Sequence, residues 1–242
     1  MLENTAYIGL SHEMALRRQL DVIANNLANM NTVGFKAERM LFSEFLVKSG
    51  GSDKVSFVLD KGTSRNLEAG RLSATDNPLD LAIEGRGYFV IDTPQGPRYS
   101  RSGHFRLNTN GELVDGEGRA LLDKSGRPLK LDPQDSDFRV NTDGSVVAKR
   151  GPIGSIDVVS FADEKSLVKE GNGLYATTPQ NPAQPGQRVK VRQGMVEESN
   201  VVPIVELSNM IELQKTYQAT REFLDKDSEL RRRSIERLGK IA

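Results

Sequence analysis

The chain has no cysteine, no tryptophan and only two histidines among its 242 residues. Without cysteine there can be no disulfide, no thiolate metal ligand and no cysteine nucleophile; the compartment is left open. His12 begins "HEMAL", which opens like a zinc-protease helix, but Leu16 stands where the second histidine is needed. His12 therefore reads as a polar helix residue, and His104 in "RSGHF" as a surface or packing residue at a turn. No G-x-S-x-G elbow occurs, "EGRG" at 84–87 lacks the third glycine of a dinucleotide loop, and "DGEGRALLDKSG" misses calcium-loop spacing. Aromatic residues make up 6%, which argues against a carbohydrate-binding surface. Catalytic, cofactor-binding and metal residues are thus expected to be none, and the chain is read as a non-enzyme.

Excess charge is missing too. Lys plus Arg and Asp plus Glu number 33 each, so neither nucleic acid nor an anionic membrane is an expected partner. Arg231 to Arg233 form the one basic triplet, flanked by Glu229 and Glu236, as on a solvated helix face. No uncharged apolar run approaches the ~20 residues of a membrane span. The opening "MLENTAYIGLSHEMALRRQ" lacks the basic, apolar and small-residue parts of a secretory signal. Work outside the cytoplasm would require another export route.

What the chain does have is two helical ends. Leu16, Leu20, Ile23, Leu27 and Met30 recur in steps of four and three, a heptad seam. At about 1.5 Å per residue, a helix from residue 3 to 31 would be roughly 40 Å long, and Gly34 suits its stop. At the other end, Met210, Leu213, Tyr217, Thr220 and Leu224 repeat the spacing, continued less regularly by Leu230, Ile235 and Leu238. Pro203 marks the start, with Ser199 and Asn200 as candidate caps.

Between the ends, glycine, proline, asparagine and aspartate punctuate short apolar runs. "LDLAIEG", "GYFVIDT", "GELVD", "RVNTDGSVVAK" and "SIDVVSF" read as strands, and "NTNG" and "NTDG" as hairpin turns. "FRLNTNGELV" at 105–114 recurs as "FRVNTDGSVV" at 138–147, which predicts two similar hairpins. Around the flexible "VKSGGSDK", the runs "MLFSEFLV" and "VSFVLD" read as a helix end and a strand. "TTPQNPAQPGQ" at 177–187 reads as a polar link. The expected fold is α+β: an N-terminal helix at 1–35, an irregular connector at 36–69, an antiparallel β domain at 70–195 and a C-terminal helix at 196–242. Each amphipathic helix must bury its seam, against the other or against neighbouring subunits, in a coiled-coil domain.

The first seam is bordered by Asn25, Asn26, Asn29 and Asn31. Asparagine is a middling helix former because its amide competes for backbone hydrogen bonds. Two readings stand: amides that fix the register of a facing helix, or a fraying helix end.

"LDVIANNLANMNTVGFKAER" at 20–39 closely resembles the N-terminal signature of bacterial flagellar rod and hook proteins, A-N-N-x-A-N followed by N-T-x-G-F-K. "QGMVEESNVVPIVELSNMIELQKTYQAT" at 193–220 is similar to their C-terminal signature, E-x-S-N-V before a helix with M-I-x-x-Q-x-x-Y. Residues 77–115 resemble the central block. Within the family, the opening residues and the length look most like a proximal rod protein, with the distal type next. The resemblance implies export through the flagellar type III apparatus without a cleaved signal and assembly in the periplasmic rod of the basal body. There, terminal helices would line a hollow, torque-carrying shaft and the β domain would face outward. Implied partners are other proximal and distal rod proteins, copies of the chain, and the export apparatus. The expected assembly residues are Leu16, Leu20, Ile23, Asn25, Asn26, Leu27, Asn29, Asn31, Met210, Leu213, Gln214, Tyr217 and Leu224. The competing classes are a ligand-binding β module on a helical stalk and, behind it, an enzyme.

Overall fold

A computed structural model describes residues 2–48, 54–132, 138–186 and 189–238. The chain is α+β, with helix α1 at Leu2–Ala28, helix α2 at Pro203–Leu238 and a mainly antiparallel β region between them. It forms two compact units. A helical unit takes residues 1–28, 38–66 and 202–242; a β unit takes 29–37 and 67–201.

In the helical unit, the segment expected to be an irregular connector is a long hairpin. Strand β1 (Glu38–Lys48) pairs antiparallel with β2 (Lys54–Arg65), Glu38 opposite Arg65 and Lys48 opposite Lys54, with a bulge between Met40 and Phe42. A short continuous apolar run such as "MLFSEFLV" fits helix and strand alike, and only its cross-strand partners decide. The tip residues 49–53 of the predicted loop lie outside the described residues. Helix α2 is one uninterrupted helix of 36 residues. The predicted caps serve elsewhere: Val202 accepts from the backbone N–H groups of Val205 and Glu206, with Pro203 in the first turn.

In the β unit, six antiparallel strands lie in the order Val168–Gly171, Leu174–Ala176, Arg98–Ser100, Tyr88–Ile91, Val158–Ser160 and Gln184–Pro185. The last of these falls in the stretch read as a polar link. "YFVI" is buried on both faces because its side chains alternate: Phe89 and Ile91 join a large core with Leu81, Phe105, Leu121 and Ile156, while Tyr88 and Val90 join a second with Tyr99, Phe161 and Tyr175. The sequence echo is two like hairpins. Asn108 and Asn141 each open a turn closed by Gly111 or Gly144 at positive φ, with Gly111 N–H on Asn108 O and Gly144 N–H on Asn141 O, both at 3.0 Å.

Phe89 is fully buried and meets Phe105 edge-on at 5.4 Å. Phe89→Ala should lower the unfolding free energy of the β unit by about 3–5 kcal/mol, because a cavity is added to the lost transfer energy. Urea titration followed by tyrosine fluorescence measures it.

Candidate assembly surfaces

Helices α1 and α2 pack along one another in opposite directions. Gly9 faces Leu224, so closely that a β-carbon on Gly9 would come within 2.4 Å of the Leu224 side chain. Further along, the Tyr217 hydroxyl donates to Glu13 Oε1 at 3.0 Å. Of the predicted seam residues, Leu16 and Ile23 are buried, and Leu20, Leu27, Met210, Leu213, Tyr217, Thr220 and Leu224 are half-buried. Met30 lies beyond the helix end and is exposed, as is Leu230; the side chains of Ile235 and Leu238 lie outside the described residues.

The four asparagines separate by role. Asn26 is fully buried and grips one residue of β1 at both backbone groups: its Nδ2 donates to Glu38 O at 2.8 Å and its Oδ1 accepts from Glu38 N–H at 2.9 Å. Asn29 accepts from the Thr32 backbone through its carbonyl and from the Thr32 hydroxyl through Oδ1, closing the turn after the helix. Asn25 and Asn31 are exposed, as is Gln214.

A second apolar face remains on each helix. Tyr7, Leu10 and Met14, at i, i+3 and i+7, are 65%, 51% and 65% exposed on the side of α1 turned away from Leu16 and Ile23. Ile204, Leu207 and Ile211 repeat that spacing on α2, turned away from Leu213 and Tyr217, and are likewise exposed. Among the described residues, no helix is long and apolar enough to cross a membrane. No group of three or more His, Asp or Glu side chains among them could hold a metal ion.

Residues 7–36 match the family described as "Flagella basal body rod protein", 82–148 the "Flagellar hook protein FlgE/F/G D1 domain", and 192–236 the "Flagellar basal body rod FlgEFG protein C-terminal". A Caulobacter vibrioides flagellar basal-body rod protein FlgF is 39% identical over 99% of this chain and 100% of its own length. A Mesorhizobium japonicum FlgF is 37% identical over 98% and 99%, and a Bacillus subtilis FlgG is 32% identical over 93% and 95%. The chain belongs to the flagellar basal-body rod proteins. It is FlgF-like.

In this rod protein, one residue from each matched segment meets in a single buried cluster of the β unit. Glu197 receives Lys36 Nζ on Oε1 and Arg101 Nε on Oε2, both at 2.5 Å, and Gly70 N–H on Oε1 at 2.9 Å. Lys36 also donates to Glu68 O at 2.8 Å. The Arg101 guanidinium spends its remaining donors on the carbonyls of Gly87, Ile83 and Gly85 at 2.5–3.0 Å. Gly34 comes close to the same arginine: its φ is +69°, and a β-carbon there would stand 2.5 Å from the Arg101 carbonyl carbon. Its role is this close approach and not the helix stop predicted for it. Asn200, read as a helix cap, instead accepts from Ala37 N–H at 2.7 Å and donates to Glu68 O at 2.9 Å. Lys36 and Glu197 were visible only as letters of the two signatures, Gly34 and Asn200 also as a helix stop and a cap, and nothing local marked Arg101 as their partner.

Burial alone would raise the Glu197 carboxyl, but the Arg101 charge, the Lys36 hydrogen bond and charge, and the Gly70 N–H outweigh it and hold it below the usual 4.5. Burial draws the Lys36 ammonium below its usual 10.5, against the opposing hydrogen bond and charge of Glu197. A lowered carboxylate stabilises the fold fully above its unfolded value and loses that contribution as pH falls through its lower folded value. Stability of the β unit should therefore drop below about pH 4 in part through this group. Glu197→Gln should abolish that part of the acid dependence. It should also cost about 3–5 kcal/mol at neutral pH, because two buried cations lose their counter-charge. Urea titrations of both proteins across the acid range check both statements. Asn26→Ala should cost about 1–3 kcal/mol by orphaning the Glu38 backbone, read from hydrogen exchange in β1.

Proposed function

We propose that this chain is a structural subunit of the rod of the bacterial flagellar basal body, of the proximal type. It assembles through its helical unit with other rod proteins and with copies of itself. The observation that carries this reading is the second apolar face on each helix. A helix that is apolar on two sides needs neighbours on two sides, and the described residues of the chain cover only one. The relatives named as basal-body rod proteins indicate what those neighbours are.

The seam residues Leu16, Leu20, Ile23 and Leu27, with Met210, Leu213, Tyr217 and Leu224, would then hold the helix pair in coiled-coil fashion and present its rims to adjoining subunits. Asn25, Asn31 and Gln214 would belong to the surface that meets them; Gln214 follows Ile211 by one turn and ends its stripe. The function needs no bond-making chemistry. A shaft under torque is served by many distributed contacts, each modest, and two apolar faces per helix provide them. The chain would reach the periplasm through the type III export apparatus without a cleaved signal.

Leu10→Asp combined with Ile211→Asp places an unpaired charge in each proposed contact. The variant should be exported at wild-type level, keep the urea unfolding curve of its β unit, and be missing from purified basal bodies of non-motile cells. Wild-type incorporation and motility would exclude these faces as the assembly surface.

A further inference from the structure

We propose that a groove in the helical unit receives Arg17 from a second copy of this chain, with Glu206 as its counter-charge. The proposal rests on the rod reading above and names one contact within it. The groove has a volume of about 540 Å³ and is lined by residues of α1, the start of β1 and α2, among them Ile23, Met40, Glu206, Glu212 and Leu213. Glu206 is 8% exposed, and among the described residues no side chain or backbone group donates to its carboxylate. Arg39 lies on the same wall, yet makes no ion pair with Glu206 or Glu212. No cation among the described residues pairs with Glu206 or Glu212, so the single chain leaves the groove with two unmatched carboxylates.

The spacing of the two glutamates indicates what completes it. Six residues apart on a helix, they are separated by about 9 Å along the axis, too far to chelate one metal ion. An extended guanidinium entering over Ile23, Met40 and Leu213 can reach the deeper carboxylate while its stem covers apolar surface.

Arg17 is placed to supply it. It is exposed and makes no ion pair among the described residues, whereas Arg18 beside it pairs with Asp60 at 2.6 Å. It follows Met14 by three residues and Leu10 by seven, so it ends the outward stripe of α1 with a cation. Stripe and groove are different surfaces of one chain. A contact between them is heterologous, so each copy that donates Arg17 still offers its own groove, and the contact propagates as an open helical array.

Basal bodies are purified from cells expressing full-length variants, with export measured in parallel. Arg17→Glu should lower the rod count about tenfold at normal export, because like charges then face each other in a desolvated contact. Glu206→Gln alone should lower it less. Adding Glu206→Gln to Arg17→Glu should return the count to that of Glu206→Gln alone. If the two effects multiply instead, the residues are not coupled and the proposal falls. The absence of cysteine permits a direct probe: Arg17→Cys with Glu206→Cys, treated with a short bis-maleimide in intact basal bodies. Covalent dimers of this chain, missing from either single-cysteine protein, are the expected product. A cross-link to a different rod protein, or none, overturns the pairing. Glu212→Cys at the groove rim serves in place of Glu206→Cys if circular dichroism shows the latter unfolded. In every arm, rods containing wild-type protein leave the rod reading intact, whereas wild-type protein missing from basal bodies defeats that reading itself.

Discussion

One carboxylate ties together the segments from which the chain leaves the β unit. Glu197 lies five residues before the chain enters the helical unit at residue 202, Lys36 lies two before it enters at 38, and Gly70 lies just after it returns at 67. Arg101, from the sheet, locks the same carboxylate to the carbonyls of Ile83, Gly85 and Gly87. Such a cluster adds little net stability, since three charges are withdrawn from water to make it. Its effect is selective. Any slip of 34–37 against 197–200 would bury a cation without its partner, and Gly34, pressed on the Arg101 backbone, leaves no slack for one. The segments at which the chain crosses between units are tied to one another by charge-assisted hydrogen bonds, the strong kind.

The helical unit solves a different problem. A two-stranded hairpin is marginal alone in water, and β1–β2 is exactly such a pair in the described residues. Asn26 supplies the anchor by satisfying both backbone groups of Glu38 from the last turns of α1. An amide is the side chain for this task, having a donor and an acceptor on one planar head. The asparagine-rich end of an otherwise apolar seam thus has a cause inside the single chain: Asn26 fastens the hairpin and Asn29 closes the turn.

The parts legible in the sequence were those written locally. Heptad spacing located both helices, and the turn residues of "NTNG" and "NTDG" located two hairpins. The hairpin at 38–65 was half legible: "VSFVLD" reads as a strand, while "MLFSEFLV" lacks strict alternation and reads as a helix end. The partners of Asn26, Asn200 and Glu197 were hidden for a related reason. Asn200 carries a good capping side chain three residues before Pro203, and local statistics favour the cap; the buried N–H of Ala37, 163 residues away, wins it instead. Likewise the seam showed that α1 required a partner, while its spacing could not say that α2 of the same chain would meet it at Gly9 and Glu13.

An assembly protein must also remain soluble before it assembles, and the outward faces of the helices bear on this. Each stripe holds three large apolar residues and then stops. On α1 the next positions in register are Arg17 and Asp21; on α2 they are Gln214 and Gln218. A longer stripe would bind neighbours in several registers, since one heptad looks like the next. A stripe of two turns that ends in a charge has one best register, because sliding by a heptad would press Arg17 or Asp21 into an apolar contact at the cost of desolvation. Short apolar faces closed by polar residues therefore trade affinity per contact for correctness of placement. An array can accept that trade, because its stability is summed over many subunits while a misplaced one is propagated by every subunit added after it.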